Sequence, residues 1–167
     1  MTEDYVIREF EQNDIESVVA INRSCLPENY PDHFFMGLYY HAPQAFLIAL
    51  DSESIFGYIM CRIERGISTF GKMPVKKGHI VSVAVLHEIR HKGIGTALIQ
   101  AGMKGVQSYG ASEIFLEVRK TNEEAISVYE KLDFDIKRVL KGYYRDGEDA
   151  YLMALKFPPK SEEELIE

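Results

Sequence analysis

The chain has 167 residues and a formal net charge of −7, with 46% of its residues hydrophobic and 27% charged. That length gives room for one domain with one core and excludes two large domains, while the apolar share excludes a disordered chain. The acidic balance repels phosphate backbones and anionic membranes, and the densest basic clusters, Lys76-Lys77 and Arg90-His91-Lys92, lack the length and the interleaved aromatics of a nucleic-acid groove.

Residues 5–10 alternate apolar and charged side chains, as a half-buried strand does, and Asn13 with Glu16 forms a capping-box pattern that predicts a helix toward Cys25. LPENYP at 26–31 is a turn by its two prolines, and DHFFMGLYYH predicts a short second helix ending before Pro43. Residues 45–50 and 55–64 are apolar runs separated by Asp51-Ser52-Glu53-Ser54, a hairpin pattern. Residues 67–78 carry Gly, Pro and three lysines without periodicity and are expected to be a mobile loop leading into the buried strand HIVSVAVL. From Ile94 the apolar residues Ala97, Leu98, Ala101 and Val106 have helical spacing to about Gly110, and 114–119 is again strand, which makes a βαβ unit. Thr121 with Glu124 is a second capping-box pattern, opening a helix through Ala125, Ile126, Tyr129 and Leu132; residues 134–143 and 150–157 predict a closing hairpin.

The sum is a mixed α/β (α+β) fold with a mostly antiparallel sheet, a central parallel βαβ unit and flanking helices, in one domain over 1–157. The polar acidic tail at 158–167 is expected to fray. The longest apolar stretches, 34–40 and 45–50, fall below the roughly 18 residues of a membrane span. MTEDYVIREF is acidic where an export signal is basic and then apolar. Cys25 and Cys61, without CxxC spacing, imply a reduced cytoplasmic setting with two free thiols.

After Val85-Leu86, residues Arg90, Lys92, Gly93 and Gly95 sit where a helix starts. Unpaired amides at a helix N-terminus, glycines that admit close approach and two cations together suit an anion. A dinucleotide fingerprint fails at Leu98, and the Gly-Lys-Ser/Thr of a P-loop is absent. On this loop alone, a solvated turn with chance glycines is the competing reading.

Arg-x-x-Gly-x-Gly at 90–95, following SVAV, resembles motif A of the Gcn5-related N-acetyltransferases (GNAT), whose loop holds the pyrophosphate of acetyl-coenzyme A. LPENY at 26–30, GYIMCRIE at 57–64, GHIVSVAV at 78–85, LEVRKTNEEAISVYEKLDF at 116–134 and KGYYRDGEDAYLM at 141–153 resemble the protein N-terminal acetyltransferases, in particular the archaeal homologues of the major eukaryotic catalytic subunit. The resemblance runs in order over nearly the whole chain. It implies a GNAT fold and a direct transfer of acetyl from acetyl-coenzyme A to the α-amine of a protein N-terminus in a ternary complex, without an acetyl-cysteine.

The resemblance also assigns residues. Arg90, His91, Lys92, Gly93, Ile94, Gly95 and Thr96 match the pyrophosphate loop; Val83, Ala84 and Val85 match the backbone that binds the pantetheine arm and polarises the thioester; Asn122 matches a cofactor hydrogen-bonding residue. An α-amine has an ordinary pKa of about 7.7–8.0 and must lose a proton before attack. His79 and Glu117 match the positions on adjacent parallel strands that flank that amine, and Tyr129 the tyrosine that donates to the leaving thiolate. Leu26, Glu28 and Tyr30, with Tyr143 and Tyr144, match the segments that grip the peptide.

Bland readings stand beside these: His79 as a satisfied strand histidine, Glu117 paired with Arg119, Tyr129 as a core residue, and Tyr143-Tyr144 as edge-strand aromatics. Two candidate ligands are too few for a zinc site, so no metal is expected. The expected partners are protein or peptide N-termini, with an auxiliary subunit or the ribosome as a further contact. The rival functions are acetylation of lysine or a small amine, and a binding module that holds coenzyme A without turnover.

Overall fold

A computed structural model describes residues 4–159, so the expected acidic tail beyond Pro159 lies outside the described residues. Strands β1 (Val6–Glu9), β2 (Phe46–Leu50), β3 (Ile55–Ile67), β4 (Pro74–Val85), β5 (Glu113–Arg119), β6 (Asp135–Leu140) and β7 (Ala150–Lys156) form one sheet in the order β1-β2-β3-β4-β5-β7-β6. The helices are α1 (Ile15–Cys25), α2 (Asp32–His41), α3 (Ile94–Ser108) and α4 (Glu123–Lys131). Neighbouring strands are antiparallel except β4 and β5, which α3 connects as a parallel crossover must be connected. None of the described helices is long and apolar enough to cross a membrane.

The period of two along β3 builds both halves of the core. Tyr58 and Met60 are buried with Val18, Ile21, Phe35 and Leu38 under α1 and α2. Ile59 and Cys61 face the other way, among Leu98, Val106 and Ile114 beneath α3. Each large side chain removed from water there contributes roughly 1.5–3 kcal/mol. Helix α3 lies so close to the turn Pro43–Ala45 that a Cβ on Gly105 would overlap the Gln44 carbonyl.

The entry to α1 differs from the expected Asn13–Glu16 capping box. Asp14 is the N-cap, its carboxylate accepts the Glu11 amide at 2.8 Å, and it pairs with Arg8 at 2.8 Å. Helix α4 likewise caps at Asn122, whose Oδ1 accepts the Ala125 amide at 3.2 Å. Thr121, expected in that role, instead donates its hydroxyl to the Glu148 carboxylate.

Half of residues 67–78 is strand and not the expected mobile loop. The β3–β4 ladder continues through Gly66↔Val75 and Ile67↔Pro74, and only 68–73 connect the strands. Glu113, 2% exposed, pins that connection by accepting from Ser68 Oγ at 2.6 Å and the Thr69 amide at 2.7 Å. At the other end of the sheet β6 stops at Leu140, so Tyr143 and Tyr144 sit in the β6–β7 loop and not on an edge strand.

One irregularity positions the site. Between Met60↔Ser82 and Cys61↔Ile80 the β3–β4 register shifts, leaving Val81 as an extra residue that bends β4. The parallel β4–β5 ladder extends only from Lys77↔Glu113 to His79↔Phe115. Beyond it the two strands diverge, and a gap opens through the sheet.

Candidate active site

Two cavities meet in that gap. The first, about 650 Å³, is walled by Leu26, Glu28 and Tyr30 of the α1–α2 loop, by β4 and β5, and by Tyr143 and Tyr144. The second, about 470 Å³, runs along Val83, Ala84 and Val85 to the start of α3 and is closed by α4. Cys25, Leu26, Val83, Asn122, Ala125 and Tyr129 line both.

The far end of the second cavity has the character of an anion site. His91 and Gly93 take positive φ of 67° and 79°, turning the chain into α3. The first intrahelical bond is from the Ala97 amide to the Gly93 carbonyl at 3.0 Å, which leaves the amides of Ile94, Gly95 and Thr96 without an intrahelical partner. A Cβ on Gly95 would meet nothing within 4 Å, so protein packing does not demand that glycine. Open space at a helix N-terminus is where a phosphate fits. Arg90 braces the turn by donating Nε to the Val85 carbonyl at 2.9 Å, which keeps its two terminal nitrogens available. His91 is 3.4 Å from Glu124, while Lys92 is exposed and lies outside the cavity lining. On β4 the edge turned toward β5 carries no ladder bonds after His79; there the backbone groups of Val83 and the Val85 amide point toward the cavity, those of Ala84 pair with Tyr58 of β3, and the Val85 carbonyl is taken by Arg90.

At the other end, Glu117 lines the first cavity with His79 directly behind it, Nε2 to Oε2 at 2.7 Å. The imidazole stacks on Phe115 with ring centroids 4.3 Å apart, and its Nδ1 is 3.1 Å from Glu64 Oε1. Burial alone would raise the Glu64 carboxyl, but His79 and Arg62 beside it hold it below the usual carboxylate value. The Tyr129 ring is buried at the junction of the cavities and its hydroxyl has no hydrogen-bond partner among the described residues; burial pushes that hydroxyl far above the ordinary phenol value.

The competing Glu117–Arg119 pair does not form. Arg119 donates to Glu28 at 2.6 Å, to Asp146 at 2.8 Å and to Glu148 at 2.7 Å, with its guanidinium over the Tyr144 ring. Buried Asn22 holds the LPENY loop against the sheet: its Nδ2 donates to the Glu28 carbonyl at 3.0 Å and to the Tyr58 hydroxyl at 3.1 Å, and Tyr58 bonds Ser82 at 2.8 Å. Burial raises the hydroxyls of Tyr30, Tyr143 and Tyr144, and Glu28 reinforces each shift. Sequence reasoning assigned no role to Asn22, Arg62 or Glu64, and it considered Arg119 only as a partner of Glu117. The one local signal was the alternation that puts Arg119 on the Glu117 face of β5.

The chain is 51% identical over 154 residues to an N-alpha-acetyltransferase of Saccharolobus solfataricus, a match covering 90% of this chain and 92% of that one. It is 38% identical over 161 residues to an N-terminal acetyltransferase complex ARD1 subunit homolog of Dictyostelium discoideum, covering 95% and 76%. Among solved structures, that of Ard1 from Thermoplasma volcanium superposes with a TM-score of 0.80 at 31% identity, covering 93% of this chain and 99% of that one. With the acetyltransferase (GNAT) family matched over residues 15–134, the chain belongs to the GNAT family of acetyltransferases.

Proposed function

We propose that this protein transfers acetyl from acetyl-coenzyme A to the α-amine of protein N-termini by direct attack in a ternary complex. The observation that carries the reading is the Glu117–His79 contact of 2.7 Å facing a cavity that shares its inner wall with a second one ending on the α3 N-terminus. The N-alpha-acetyltransferase name of the S. solfataricus relative supports the same chemistry.

Acetyl-coenzyme A would be held by the 90–96 turn, by the backbone of Val83, Ala84 and Val85 beyond the end of the β4–β5 ladder, and by Asn122, and it would supply an activated thioester. Everything else falls to the chain's own side chains. Leu26, Glu28, Tyr30, Tyr143 and Tyr144 enclose the peptide end, and Arg119 fixes the loops that carry them. Glu117 receives the ammonium proton, backed by His79. Tyr129 keeps its own proton because burial disfavours the phenolate, so it remains a donor at the junction.

A cavity walled on both sides by loops that carry Glu28, Tyr30, Tyr143 and Tyr144 suits a chain terminus better than a mid-chain lysine, which favours the N-terminal reading over the lysine rival. The Dictyostelium relative is named as a subunit of a complex, which supports an auxiliary subunit as a partner; a ribosome contact and a cytoplasmic setting belong to the same proposal. The test is transfer of labelled acetyl to peptides beginning Ser, Ala, Met-Leu and Met-Glu, beside N-blocked peptides that contain lysine. Free peptides should be acetylated and blocked ones not; equal labelling of both overturns the reading.

A further inference from the structure

The Glu64 carboxylate lies on the side of His79 away from the cavity, and the Glu117–His79 pair does not by itself account for it. The two carboxylates approach opposite ring nitrogens, Glu117 Oε2 at 2.7 Å from Nε2 and Glu64 Oε1 at 3.1 Å from Nδ1. An ionised carboxylate only accepts, so the Glu64 contact calls for a proton on Nδ1, and the Glu117 contact at Nε2 is the one made while a proton lies between the two atoms. Arg62 Nη2 also comes within 3.4 Å of Nδ1, but its stronger contact is Nε to Glu64 Oε1 at 2.9 Å. Glu64 therefore takes both the Arg62 cation and the Nδ1 proton. The Phe115 ring, stacked nearly parallel at 9°, prevents the imidazole from turning out of line.

We propose that Glu64 is a positioning residue for proton transfer: by accepting the Nδ1 proton it fixes His79 with Nε2 toward Glu117, so that the imidazole shares the proton which Glu117 receives. This role rests on the transferase reading above. The N–H bond of the ammonium breaks and its electron pair becomes the attacking lone pair; the proton is held between Glu117 Oε2 and His79 Nε2 and then passes to water, which restores both groups. The arrangement follows the logic of a carboxylate that orients a histidine base. The other charged or titratable groups around this pair are Arg62 from β3, Lys77 on β4, and Tyr30 and Tyr143 from the loops that wall the first cavity. Lys77 is directed to the Ile67 carbonyl at 3.2 Å and to Glu113 at 3.8 Å, away from the imidazole.

The test uses the full-length protein labelled with 15N-histidine, with His79 assigned by difference from His79→Asn. The imidazole spectrum should show His79 protonated at Nδ1, and in Glu64→Ala the released Arg62 should leave Nδ1 bare and the proton on Nε2. With peptide and acetyl-coenzyme A, Glu64→Ala should lower kcat about tenfold with both KM values within about twofold, a share of what a positioned proton acceptor contributes. Glu64→Gln, whose amide oxygen can still accept from Nδ1, should recover the tautomer and part of kcat. An active wild type with bare Nδ1, or a Glu64→Ala variant with unaltered kcat, overturns this role alone. A wild type that acetylates no amine overturns the function and this role together.

Discussion

Arg119, the last residue of β5, holds the Glu28 carboxylate at 2.6 Å across the mouth of the first cavity, and the same guanidinium holds Asp146 and Glu148 on the opposite loop. One cation thus joins the two loops that wall the first cavity, and the hydrogen bonds it donates to Glu148 and Glu28 raise its already high pKa further. Removing it leaves three carboxylates facing one another. Arg119→Ala should raise peptide KM about tenfold, equivalent to about 1.4 kcal/mol, while acetyl-coenzyme A KM stays unchanged. Arg119→Lys should recover little, because an ammonium lacks the planar fork that reaches both loops. Steady-state kinetics with each substrate varied in turn checks the split.

Glu28 is the half-exposed carboxylate at the rim, placed where a first side chain or ammonium would enter. Replacing it by Leu removes that charge and adds apolar wall, while Asp146 and Glu148 still hold Arg119 in place. Peptide preference should shift from small first residues toward methionine followed by a large residue. Competition between Ser-, Ala- and Met-Leu-initiated peptides, with the products separated by mass, measures the shift.

These pairings also show what a sequence can reveal. The 90–96 turn was legible because its chemistry is contiguous: glycines, cations and a helix start lie within a few residues. His79 and Glu117 were legible from blocks that resemble a family. Glu64 meets His79 only because Arg62 and His79 are opposite each other in the β3–β4 ladder, and Arg119 meets Glu28 only through the fold of the α1–α2 loop. Neither register leaves a local trace. The 67–78 segment misleads for a related reason: both its faces are half-solvated, so the strand period is weak, and its anchor, Glu113, is a tertiary partner. Thr121 resembles an N-cap until Glu148, supplied by a distant loop, engages its hydroxyl.

The Tyr129 hydroxyl, at the junction of the two cavities and without a partner among the described residues, separates a catalytic role from packing. Phenylalanine fills the same volume and strands no partner, so Tyr129→Phe should keep the wild-type Tm. If the hydroxyl donates during transfer, kcat should fall at least about tenfold with both KM values near wild type. Melting curves and saturation kinetics on the same preparation decide between the two roles; unchanged kcat would leave Tyr129 as a core residue.

Tyr58 connects chemistry to stability through pH. Burial pushes its hydroxyl up to about 12 from 10.0, against the opposing hydrogen bonds with Ser82 and Asn22. The folded state therefore keeps the phenol proton where the unfolded chain begins to lose it. This contribution to stability is fully present below pH 10 and is lost as pH rises from 10 toward 12, by up to about 1.4 kcal/mol per pH unit. Tyr58→Phe removes the titrating group but leaves Asn22 and Ser82 short of a partner, a loss of about 1–3 kcal/mol at neutral pH. Urea unfolding at pH 7, 9, 10 and 11 should show the variant weaker at pH 7 yet losing less stability than wild type above pH 10. Parallel curves for the two proteins across that range would mean that Tyr58 does not titrate with unfolding.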